Sequence, residues 1–258
     1  FDMLSSHLAG LETTIRSSGE DVLPNIYCGI LPLILLPLYL INKKISLREK
    51  TAYTLLFIFL VISFNCNAVD FIWHGFHFPN DLPFRYSFIY VFVFLIMAFR
   101  CVMNLKGIDY KDIMFTGIAI MVVIMLFQKN PTNKITSFTI YASLAFVMVW
   151  TLVMLVIKKQ GYSKFIIGIT VVCITFCEGI VADSNSYLFT QAQKFYVEKM
   201  DTVNEAVDYI KDNDKGFYRV EQTYLETRMD PCIYNYNGIS TFSSMAYETY
   251  SANQYSLG

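Results

Sequence analysis

Long apolar runs separated by short polar stretches fill the chain at 22–41, 51–64, 86–105, 113–128, 138–157 and 165–182. A hydrocarbon core about 30 Å thick takes roughly 20 helical residues, and several runs approach that length with few charges. They predict an all-α polytopic membrane bundle of about six transmembrane helices. The second and fourth runs are short, so those helices are expected to tilt little, extend into flanking polar residues or sit in locally thinned bilayer. The first run contains Pro24, Pro32 and Pro37. Pro24 suits a helix start, whereas the other two remove backbone donors inside the membrane and predict a kinked or locally broken helix.

Beyond 182 the pattern changes. Residues 183–200 are polar and aromatic without a clear period, and then Val203, Ala206, Val207 and Ile210 share a helical face, with Thr202 and Glu205 at capping-box spacing. Phe217, Arg219 and Glu221 alternate with Tyr218, Val220 and Gln222 as in a strand. A helix leading into a strand predicts the start of a small, truncated α/β extracytoplasmic domain over 183–258. Residues 1–21 read as an extracytoplasmic connection or interfacial segment. The chain opens at Phe1 without a signal peptide or preceding span, so it is expected to be the central piece of a longer protein.

Composition agrees with the pattern: 55% hydrophobic and 16% charged residues are too apolar a mixture for an ordinary soluble domain. The loops after the first, third and fifth runs carry Lys43, Lys44, Arg48, Lys50, Lys106, Lys111, Lys158, Lys159 and Lys164, against Arg85, Lys129 and Lys134 in the other two. Nine against three places the first set in the cytoplasm and both chain ends outside. The net charge is −1, and the tail from Asp183 holds eleven acids and six bases, which excludes a nucleic-acid surface. Four of the six cysteines, Cys28, Cys101, Cys173 and Cys177, lie in apolar runs and read as small packing residues.

The chemistry concentrates between the second and third runs, in DFIWHGFHFPNDLPFRYSF, residues 70–88. As one helix, Asp70, His74, His77, Asp81 and Arg85 would share a stripe. Pro79 and Pro83 break it, which predicts a helical or interfacial turn through His77, a loop, and Arg85 entering the third span. His74, His77 and Asp81 could ligate a divalent cation, although the spacing lacks a strong zinc signature. Arg85 with the histidines could instead hold a phosphate, or the polar groups could satisfy one another in a loop anchored by Trp73. Glu178 lies about one turn, roughly 6 Å, from the outer end of the sixth run, and a carboxylate inside a membrane is a functional candidate by default. Arg100 reads as an interface residue that snorkels.

The strings LPNIYCGILPLILLPLYLINKKISLREK (23–50), WHGFHFPNDLPFRYSFIYVF (73–92) and YNYNGISTFSSM (234–245) resemble the YfhO family of bacterial multi-pass membrane proteins. The resemblance implies a C-type glycosyltransferase of the bacterial cytoplasmic membrane, with a polyprenyl-phosphate sugar as donor and an extracytoplasmic cell-envelope polymer such as teichoic acid as acceptor. It implies an acidic base in an outer loop ahead of Phe1, so no catalytic base is carried onto this chain, and isolated activity is not expected. His74, His77 and Arg85 are then candidate donors to the lipid phosphate, Asn80 and Asp81 candidate sugar or metal contacts, and Trp73 and Glu178 candidates lining the substrate site. No metal site is assigned. A transporter or flippase of a lipid-linked substrate is the alternative, suggested by the proline-broken first run and Glu178; a non-catalytic membrane scaffold is the third class.

Overall fold

The computed structural model describes residues 2–11, 23–77, 84–128, 135–159, 163–186, 194, 197–220, 222 and 229–238. The chain divides into two compact units, residues 1–189 and 190–258.

In the first unit every apolar run contains a helix. After a short α1, Asp2–Ser5, come α2, Ile30–Ile41; α3, Leu47–Asn65; α4, Asn67–Trp73; α5, Ser87–Met103; α6, Tyr110–Phe127; α7, Ser137–Lys159; and α8, Lys164–Ser186. By length and apolarity α6, α7 and α8 can each cross a membrane, and α3 with α4 makes a fourth candidate bent by 102° at its break. The two remaining apolar helices, α2 and α5, are shorter. Among the described residues three helices, or four if the bent pair is one span, reach crossing length.

The largest departure is in the first run, where helix begins only at Ile30 and residues 23–29 are irregular. Pro24 cannot donate a backbone hydrogen bond, and Gly29 adopts φ +101°, open to glycine and strained for other residues. The break predicted from the prolines thus falls at Gly29, while Pro32 is accommodated in the first turn of α2 and Pro37 lies inside the helix. The irregular stretch is partly inserted: Pro24 is buried and Ile26 wholly so, while Asn25 is exposed. Irregular backbone at such depth is sustained where surrounding protein satisfies its polar groups.

Helix α2 packs against α5, α6 and α7, and Ile30, Ile34, Leu38 and Tyr39 on it are completely buried. A helix apolar all round belongs in such a position. Gly117 of α6 lies where a Cβ would come 2.5 Å from the Thr151 hydroxyl of α7, the small-residue contact that lets membrane helices approach closely. The three lysine-bearing loops meet at one end. There Lys43 N–H donates to Gly107 O at 3.0 Å, the Asn42 amide to Asn104 O at 3.0 Å, and Lys43 pairs with Asp109 at 2.8 Å. Arg100 does more than mark the interface, since its guanidinium forks onto both Glu49 carboxylate oxygens at 2.7 and 2.8 Å.

The second unit contains α9, Met200–Asn213, and α10, Asp230–Ile233. Val207, Tyr234 and Tyr236 form its small core, with Val203 and Val220 packed on it. Helix α9 starts at Met200, which puts Thr202 inside the helix, so the expected Thr202–Glu205 capping box does not form. Ala206 faces solvent and not the core. Within the expected strand at 217–222 the described residues have no regular secondary structure, and Val220 N–H donates to Asn237 O at 2.9 Å. Among the described residues no strand ladder continues from it, and they show helices with irregular connections and no strand; Glu221 lies outside them.

Candidate functional site

The end of the first unit opposite the lysine-bearing loops holds two polar sets. The first surrounds Glu178. Helix α8 runs on to Ser186, eight residues past Glu178, which puts the carboxylate about 12 Å from the helix end by rise and deeper than the one turn expected. It is 4% exposed. Oε1 accepts from the Tyr27 hydroxyl at 2.7 Å and from Ile30 N–H at 2.5 Å, and Oε2 accepts from the Trp150 indole at 2.7 Å. Ile30 begins α2, so the carboxylate caps a helix start within the bundle, where it meets a free N–H and the positive end of the helix dipole. Glu178 is thus the anchor of the broken segment, with three of about four lone-pair sites engaged.

The second set lies on the stretch 70–86. Helix α4 stops at Trp73 because Gly75, at φ +71°, turns the chain left-handed. Gly75 N–H bonds Ile72 O and Phe76 N–H bonds Phe71 O, the paired closure of a Schellman motif, with the Phe71 and Phe76 rings 6.1 Å apart across it. The helix therefore ends a turn earlier than His77. His74 folds back on Asp70: its Nδ1 lies 2.9 Å from Asp70 O and 3.4 Å from Oδ1, and its side chain is 3% exposed. His74 Nε2 and Asp70 Oδ1 are buried without a hydrogen-bond partner.

Trp73 stacks on Tyr86 at 5.0 Å, and His74 meets the same ring edge-on at 6.1 Å. Tyr86 donates to Ser63 O at 2.8 Å, which pins this platform to the end of α3. The rings continue inward: Tyr86 stacks on Phe64 at 5.2 Å and Phe64 meets Tyr90 at 5.5 Å. Tyr90 is the hydrogen-bond partner of His7 Nε2 at 3.0 Å.

The fold brings together Trp73 and His74 of the sequence candidates. His77 and Arg85 are exposed at either end of the turn region. Asn80 and Asp81 lie outside the described residues. The hydrogen bonds of Glu178 go to α7 and to residues 27–30, none to the 70–85 stretch. Among the described residues no group of three or more His, Cys, Asp or Glu gathers to hold a metal ion.

Sequence reasoning passed over His7, Tyr27, Tyr86 and Trp150. Residues 5–10, read as part of a connection, are buried: Ala9 N–H donates to the Ser143 hydroxyl at 2.9 Å and Thr139 donates to Gly10 O at 3.2 Å. Burial lowers the His7 pKa to about 4. A signal existed for Trp150: an indole N–H in mid-span needs an acceptor, and Glu178 is the carboxylate in the neighbouring span.

Apolar helices of crossing length, a backbone break satisfied from within the bundle and a buried carboxylate define a multi-pass α-helical membrane protein. The chain belongs to the YfhO family of bacterial membrane proteins, whose model matches residues 1–258. No curated protein and no solved structure matches it.

Proposed function

We propose that the chain is part of a C-type membrane glycosyltransferase that moves a sugar from polyprenyl phosphate to an extracytoplasmic cell-envelope acceptor such as teichoic acid. The observation that carries the reading is the platform at 70–86, where stacked Trp73 and Tyr86 adjoin the buried Asp70–His74 pair and exposed Arg85. An amphipathic donor needs such a combination: apolar surface for its chain, ring faces for its sugar and cations for its phosphate. Arg85, His74 and His77 serve the phosphate, Trp73 the sugar or lipid, and Asn80 and Asp81 the sugar or a divalent cation; Glu178 keeps the segment beneath in place. In this reading the shorter α2 and α5 complete six crossings of the cytoplasmic membrane, with the lysine-rich end inside and both chain ends outside. The acceptor hydroxyl attacks the anomeric carbon and the lipid phosphate departs with the bonding pair, so cations near that phosphate lower the barrier.

The test is transfer of labelled sugar from polyprenyl phosphate to teichoic acid by the full-length protein in proteoliposomes. Arg85→Ala should lower transfer by at least about tenfold, the loss of one charge-assisted contact, while leaving helix content unchanged. Unaltered transfer kinetics would remove Arg85 from the site. The break at 23–29 and its Glu178 anchor favour a second reading, transport of a lipid-linked substrate. Labelled lipid crossing the bilayer without acceptor product would establish it.

A further inference from the structure

At the lysine-rich end of the bundle a cavity of about 510 Å³ opens between the loop after α2, the end of α5 and the end of α7. Lys44, Lys106 and Lys158 line it together with Val102, Met103 and Ile157. One side is cationic and the other is apolar. Val102 and Met103 are 47% and 65% exposed, so the apolar side is open and not buried core.

The corner is built to hold the lysines there. The Asn42 side chain, fully buried, donates to Asn104 O and accepts from Lys44 N–H at 2.8 Å. Gly107 approaches so closely that a Cβ would fall 2.7 Å from Lys44 Cγ and 2.8 Å from its backbone nitrogen. Lys158 Nζ reaches Leu105 O at 3.5 Å and lies 5.4 Å above the Tyr110 ring. The acids of this end are committed elsewhere: Asp109 to Lys43 at 2.8 Å, Asp112 to the N–H of Asp109 at 3.0 Å, and Glu49 to Arg100 at 2.7 Å. Asp109 also feels Lys158, though less than it feels Lys43. Among the described residues Lys44 and Lys106 have no ion pair. Lys44, Lys106 and Lys158 thus line one cavity, and an anion bound there is attracted by all three.

We propose that this cavity binds the phosphate of an anionic phospholipid headgroup, with Lys44, Lys106 and Lys158 on the phosphate and the acyl chains along Val102, Met103 and Ile157. Basic pockets between membrane helices suit such headgroups, and the leaflet facing a lysine-rich end is the anionic one. The proposal is independent of the transferase reading, which concerns the opposite end.

The experiment is native mass spectrometry of the full chain in detergent, titrated with phosphatidylglycerol. The probe variant is Lys44→Gln with Lys106→Gln and Lys158→Gln. A control of equal charge loss is Arg48→Gln with Lys111→Gln and Lys159→Gln, all in terminal turns of helices beside the same loops but off the cavity lining. The probe variant should bind phosphatidylglycerol more than about tenfold more weakly, as loss of about 1 kcal/mol per lysine implies, and the control within about twofold of the parent. Arginine at the same three positions should restore binding, which separates lost charge from lost folding. Equal weakening in both glutamine variants would reduce the lysines to a diffuse surface charge and overturn the site. Glycerol phosphate without acyl chains binding as tightly as the lipid would assign a soluble phosphate ligand and overturn the lipid assignment.

Discussion

A carboxylate in an apolar bundle is tolerable only when donors surround it, so Glu178 and its partners stand or fall together. Trp150→Phe keeps the ring volume and removes one donor; it should lower stability by about 2 kcal/mol, measured by thermal or denaturant unfolding in detergent. No change would mean that the indole bond contributes nothing. His7 makes a pH prediction. Its pKa falls from 6.5 to about 4 through burial, so the unfolded segment takes up a proton more readily than the folded one. Its contribution is full above about pH 6.5 and is lost as the pH falls toward 4, a loss on the order of 2 kcal/mol near pH 5. The protection factors of amides in residues 5–10, with hydrogen exchange corrected for the intrinsic pH dependence, should therefore fall between pH 7 and 5 in the parent and much less in His7→Phe. An equal fall in both would exclude the imidazole as the cause.

Among the elements, close approach is set by small residues and breaks are set by glycines in left-handed conformations. Gly117 is the contact between α6 and α7, and Gly117→Val must push Thr151 aside or separate the helices. The expected cost is about 1–3 kcal/mol, seen as a lower unfolding midpoint and restored in part by Thr151→Ala. A valine variant as stable as the parent would show that this approach is not tight. The length of the apolar runs located α3, α5, α6, α7 and α8 to within about four residues at each end; α1 and α4 lie outside the runs, and the first turns of α2 are replaced by irregular backbone. Hydropathy could not reveal that break, because residues 23–29 continue a largely apolar run, with Pro24 and Ile26 buried, while their backbone is irregular. The 217–222 alternation meets no partner strand among the described residues, and a period-two pattern forms a strand only if one lies beside it.

At the scale of the whole molecule, the loops at one end form a single hydrogen-bonded junction, whereas the other end is joined through aromatic rings and the inserted segment 5–10. Gly107 lies at the centre of the lysine-rich junction, where a Cβ would also meet Asn42 Oδ1. Gly107→Ala should loosen this end selectively, with faster hydrogen exchange in residues 42–45 and 104–109 than at Tyr86 or Tyr90. A uniform change across both ends would mean that the junction does not act as a local unit.

The sequence by itself determined that the chain is a membrane bundle, where its helices lie and which loops gather at one end, because hydrophobic length and charge placement act through the bilayer one segment at a time. It also singled out Trp73, His74, Arg85 and Glu178 as chemistry out of keeping with hydrocarbon. Only tertiary structure decided which groups meet. The pairing of Glu178 with Trp150 and Ile30 spans 28 and 148 residues of chain, and that of His7 with Tyr90 spans 83. Such pairings arise from how helices pack around α2, where each buried polar atom must find whichever donor or acceptor the fold carries to it.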